Sequence, residues 1–226
     1  MRHPDHNLAA PSRSWLGNAL SLLNQTREPS APKYHGFTCI LFLFVFAGLL
    51  PAAEEYSWWI EPCTAETAHS TGCEAGDPEL ARWALEMWQR ESAGAMVLKK
   101  SAGEEHARLR LHWANGTLNL YGETEQILVD GKLGANIYVL PSVSRGGDRL
   151  LRDAIVYLTC VHESGHALGL RHTRAFADIM YSFQYGGDIP AYFNRYRVLL
   201  KTRADITAHS GISDADRAAL REALRE

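Results

Sequence analysis

Residues 162–172 read HESGHALGLRH, and no other stretch limits the fold as tightly. His162 and His166 are four apart, so on a helix their rings leave one face a turn apart and reach a single point beside it. His172 cannot reach that point from an uninterrupted helix. Gly169 supplies the interruption, because a glycine adopts the left-handed conformation that ends a helix and swings the chain back toward the first two rings. A random chain of this composition carries the eleven-residue pattern HExxHxxGxxH at roughly one in ten thousand and bare HExxH at about three per cent. The longer pattern therefore outweighs the reading of three unrelated histidines in a chain that has ten.

Three imidazoles at one point leave a fourth coordination position open on a metal ion such as zinc. Glu163 lies between the two helical histidines, turned off their face but within reach of a water at that position, which zinc makes more acidic. This is the arrangement of a metal-assisted hydrolase with a carboxylate as general base.

HExxHxxGxxH is followed by ADIMYS, with Met180 eight residues after His172. The two together resemble the metzincin clan of zinc peptidases, and within it the matrixin family. That resemblance implies His162, His166 and His172 as ligands of one zinc ion, Glu163 as general base and acid, and Met180 in a tight turn beneath the ion, with Tyr181 following. Gly169 is the structural residue between the ligands. The likeness runs over about residues 55–226. It has departures: Ser182 stands where matrixins usually have proline, and also where astacins and serralysins carry an extra tyrosine ligand. No PRCGxPD-like cysteine switch is present, and His69, His106, His112 and His209 lack the spacing of a second zinc site. Structural calcium is left open.

The sequence divides into three parts. Residues 1–35, rich in Pro, Ser and Asn, read as a disordered extension. Phe37 to Leu50 is an uncharged apolar run preceded by Lys33 and followed by Pro51, Ala52 and Ala53. Residues 36–53 thus read as a signal peptide, or as an amino-terminal anchor if uncleaved. The remainder, 54–226, is of catalytic-domain size. The whole chain, with a net charge of -3 and no Lys/Arg block, carries no footprint for nucleic acid. Cys39 falls in the leader. Cys63 and Cys73 bracket the turn-rich CTAETAHSTGC, a loop that an exported protein can close as a disulfide; the alternative is Cys63 as a latency ligand. Cys160, in an apolar run, reads as a buried small hydrophobe.

Periodicity predicts a strand over 55–60, and a helix through Glu91 with Asp77 as N-cap, Pro78 at its first position, and a stripe of Leu80, Trp83, Ala84, Met87 and Trp88. Strands follow over 95–101 and 107–114, then, after an Asn115-Gly116 turn, over 123–130 and 135–141, joined through Gly131 to Gly134. A helix opens after Gly146-Gly147-Asp148 and carries the histidines. A long loop then leads to a last helix capped by Ser213 with Asp216 as capping partner. The order gives an α+β fold, a mixed twisted sheet of about five strands with an active-site helix and a C-terminal helix. The resemblance implies a zincin-like catalytic domain.

The function expected is a secreted zinc endopeptidase acting on peptide or protein substrates, with a membrane as partner only if the leader is retained. The alternatives are a zinc hydrolase of small peptides or amides and a non-catalytic zinc-stabilised binding protein, although the latter gives no reason for Glu163. Tyr181, Phe183, Tyr185, Tyr192 and Phe193 read either as the wall of a substrate pocket or as loop aromatics packed on the core. Periodicity does not choose which of strands 123–130 and 135–141 is the sheet edge.

Overall fold

A helix placed between two strands of one sheet makes them parallel, and the first crossover of the chain does so. In the computed structural model, which describes residues 52–116, 121–142 and 147–225, β1 (Glu54–Ile60) pairs in parallel with β2 (Met96–Lys100) across helix α2 (Asp77–Glu91). β1 also pairs in parallel with β3 (Leu109–Trp113), and β3 with β5 (Lys132–Val139). β4 (Gly122–Val129) runs antiparallel to β5, giving the order β2-β1-β3-β5-β4. The extension 1–35, the apolar run Phe37 to Leu50 with Cys39, and the loop residue Gly146 lie outside the described residues, as do 117–120 beyond the Asn115-Gly116 turn. No helix among the described residues is long and apolar enough to cross a membrane.

The sheet buries one face. Leu109, Leu111 and Trp113 of β3 and Ala135, Ile137 and Val139 of β5 are buried, alternating with residues turned the other way, as a period of two requires. Helix α3 (Arg149–Ala167) covers that face beside α2. The α2 side of the contact is Leu80, Ala84, Met87 and Trp88, all fully buried, and each large side chain contributes about 1.5–3 kcal/mol. Ala81 and Leu85 join this stripe, whereas Trp83 is only half-buried and lies beneath the Arg203 guanidinium. Trp88 also ties the helices together, donating Nε1–H to Val161 O and to Ser164 Oγ, each at 3.0 Å.

Four local expectations need correction. Asp77 is not the N-cap of α2. Gly76 holds that position, and the fully buried Asp77 carboxylate faces Arg152 of α3 with Nη2 at 2.6 Å, while also accepting the Glu74 N–H at 2.7 Å. With its oxygens engaged by Arg152 and by the Glu74 N–H, the Asp77 carboxylate caps no N–H of its own helix. The β4–β5 connection is two residues rather than four: Asp130 (φ 51°) and Gly131 (φ 75°) both take positive φ, the turn that matches strand twist. Within the Cys63–Cys73 segment a short helix, α1 (Ala65–Thr71), forms with Thr64 as N-cap and Gly72 left-handed at its end. The long loop contains α4 (Ile189–Arg197), capped by Asp188, and a 3-10 turn over Arg203–Ala208. The chain closes with α5 (Asp214–Ala223), where Ser213 and Asp216 form the reciprocal capping box.

Candidate metal centre

α3 ends at Ala167, and the way it ends places the third histidine. Gly169 has φ +94°; its N–H binds His166 O at 3.0 Å, and the Leu170 N–H reaches back to Gly165 O at 3.0 Å. These two bonds are the Schellman closure, in which only a residue free to adopt the left-handed region fits without strain. Beyond it, Thr173 N–H donates to Met180 O at 2.8 Å and Ser182 N–H to Thr173 O at 3.3 Å, fastening the segment after His172 to the turn that holds Met180.

The three rings converge. His162 Nε2 and His166 Nε2 stand 3.2 and 3.0 Å from His172 Nε2, and the donor atoms of all three lie within 4.8 Å of one another. His162 Nδ1 donates to Ile179 O at 2.7 Å and His166 Nδ1 to Leu170 O at 2.8 Å. A carbonyl oxygen only accepts, so both Nδ1 atoms carry hydrogen and both Nε2 atoms present lone pairs. His172 can give a proton to one of them and not to both. Burial pushes the His162 pKa down to about 4 and lowers those of His166 and His172, so the cluster is held neutral. A metal ion satisfies all three lone pairs, and the backbone carbonyls behind His162 and His166 are the orienting partners that ligating histidines use. Among the described residues no other group of three such donors lies together.

Glu163 sits one turn back from the helix end with only 6% of its surface exposed. Burial raises its pKa to about 7, opposed by the hydroxyl of Thr124, which donates to Oε2 at 2.8 Å. Thr124 belongs to β4, which is one edge of the sheet; β5 is paired on both sides. A cleft of about 720 Å³ runs between this edge and the segment after Met180, and the three histidines and Glu163 line it. Tyr181, Phe183, Tyr192 and Phe193 form its far wall while also packing on one another. Tyr185 does not line the cleft; it is half-exposed, beneath Arg174. Cys63 is joined to Cys73 by a disulfide, and Cys160 is free and buried.

Met180 is buried under α3, and Gly165 is the reason it fits. A Cβ on Gly165 would stand 2.6 Å from Met180 Sδ and 3.2 Å from the Trp88 ring. The sequence carried a hint of this: glycine inside a helix costs about 1 kcal/mol relative to alanine, so a mid-helix glycine calls for a packing reason. Gly165→Ala is expected to lower the unfolding free energy by about 1–3 kcal/mol, the usual range for overpacking, in a denaturant titration. An unchanged midpoint would show that the Met180 contact is loose. Gly122, Thr124 and Gln126 of β4, and Asp216 in its role toward the Met180 turn, also escaped sequence reasoning because their partners are remote in the chain.

No family model matches this chain, and no curated protein matches it either.

Proposed function

We propose that this chain is a secreted, matrixin-like zinc endopeptidase. The reading rests above all on one observation: three imidazole lone pairs meet in a cleft beside a buried glutamate. Two imidazole nitrogens on one tetrahedral zinc ion stand about 3.3 Å apart, close to the 3.0 and 3.2 Å between His172 and its two neighbours, while all three nitrogens lie within 4.8 Å of one another. A zinc ion, when bound, supplies Lewis acidity that polarises a carbonyl and makes water a better nucleophile near neutral pH.

The remaining work belongs to the protein. An extended peptide pairs its main chain with the free edge of β4 and so lies across the cleft. Glu163 takes the proton of the attacking water and passes it to the leaving amine. Phe183, Tyr192 and Phe193 give one end of the cleft an apolar wall. Export is supported by the apolar run Phe37 to Leu50 and by the Cys63–Cys73 bond, which persists in oxidising compartments.

The test is a digest of casein or gelatin by the full chain. Cleavage that stops with a chelator and returns with added zinc is expected. A zinc-loaded chain that cuts neither protein contradicts the reading.

A further inference from the structure

We propose that β4 positions the general base, with Thr124 as the residue through which it acts; this rests on the endopeptidase reading above. Gly122, Thr124 and Gln126 occupy every second position of the strand and pair with Val139, Ile137 and Ala135, whose side chains are buried. Their side therefore faces α3. Each makes a different provision for the two turns of α3 that carry Glu163 and His166.

Thr124 Oγ1 lies 2.8 Å from Glu163 Oε2 and 3.0 Å from the Glu163 carbonyl oxygen, so one hydroxyl engages both the side chain and the main chain of the base. Among the described residues it is the sole hydrogen-bond partner of that carboxylate. At Gly122, a Cβ would stand 2.6 Å from Glu163 Cγ, 2.9 Å from Oε1, and 2.8 Å from the backbone oxygen of Tyr138. No side chain fits there, and the strand can approach the base only as bare backbone. Gln126 donates Nε2–H to His166 O at 3.1 Å, a carbonyl in the last turn of α3 where helical partners run out. The alternating G-x-T-x-Q of residues 122–126 thus builds one contact surface. The strand that would bind substrate is the strand that aims Glu163, and a peptide pairing with β4 stiffens the support of the base.

Three variants of the full chain test this: Thr124→Val, which keeps the shape and removes the hydroxyl, Thr124→Ser, which restores it, and Thr124→Ala should the valine variant fold poorly. Thr124→Val is expected to lower kcat about tenfold to a hundredfold with KM within about twofold, since a misaimed base impairs the reacting geometry and not substrate binding. Serine should recover most of that loss, and metal analysis should find zinc content unchanged in all three. A crystal structure of Thr124→Val gives a readout independent of turnover, with the Glu163 carboxylate expected to leave its position beside Gly122. Wild-type kcat in the valine or alanine variant, a serine variant as impaired as valine, or a Glu163 side chain that has not moved overturns the proposal. A wild-type chain that cleaves nothing contradicts the endopeptidase reading instead, and the structure of the valine variant still decides whether Thr124 holds Glu163.

Discussion

Exchanging Glu163 for glutamine is expected to lower kcat/KM on a peptide substrate by about a hundredfold to ten-thousandfold, the range that general acid–base catalysis supplies. Glutamine isolates the proton transfer from everything else. Its side-chain oxygen can still accept the Thr124 hydroxyl that Glu163 Oε2 accepts at 2.8 Å. What it cannot do is take a proton from water. An amide is also easier to bury than a carboxylate, so Tm is not expected to fall at a site only 6% exposed. Zinc content should hold, because His162 and His166 keep their carbonyl partners. A glutamine variant that cleaves at the wild-type rate removes Glu163 from the mechanism.

The largest expected effect on stability is at Asp216. Its carboxylate is buried, accepting the N–H groups of Ile179 and Ser213 at 2.8 Å each and of Met180 at 3.4 Å. Ile179 is also the residue whose carbonyl accepts His162 Nδ1–H, so Asp216 stands one peptide unit behind a histidine of the cluster. Asp216→Ala leaves buried donors without partners, at about 1–3 kcal/mol apiece, and a total near 4 kcal/mol is expected by denaturant unfolding. Weaker zinc retention should accompany it in a chelator competition, because the Met180 turn loses its brace. Ser213→Ala is the control. It removes the cap hydroxyl, which accepts the Asp216 N–H at 3.1 Å and donates to the buried Asp178 Oδ1 at 2.8 Å, and should cost about 2 kcal/mol. Equal losses in the two variants would reduce Asp216 to an ordinary capping residue.

Asp216 also shows where sequence reading stops. Its place in the capping box was legible because Ser213 is three residues away and the bond is local. Its grip on Ile179 and Met180 was not, since nothing in a linear pattern says that the start of the last helix meets the turn after His172. The same division runs through the site. Gly169 and the three histidines act within eleven residues, and their geometry follows from helix periodicity and one left-handed glycine. Thr124 and Glu163 are thirty-nine apart and meet only because β4 folds back to the sheet edge over α3. Asp77 misled for the converse reason. It has the composition of an N-cap, but a tertiary partner, Arg152, claims its carboxylate. Helix α4 is hard to tell from loop in the sequence because IPAYFNRYR is rich in aromatics of modest helix propensity, and what holds it is packing: Tyr192, Phe193 and Tyr196 are buried.

The central claim is that His162, His166 and His172 together hold one zinc ion on which hydrolysis depends. Titrating zinc into the metal-stripped full chain while following peptide cleavage tests it most directly. Activity should rise linearly and break at about one equivalent, the stoichiometry of a single three-histidine site, and His172→Ala should abolish the response. Full cleavage before any zinc is added, or an unaltered titration in His172→Ala, would contradict the account.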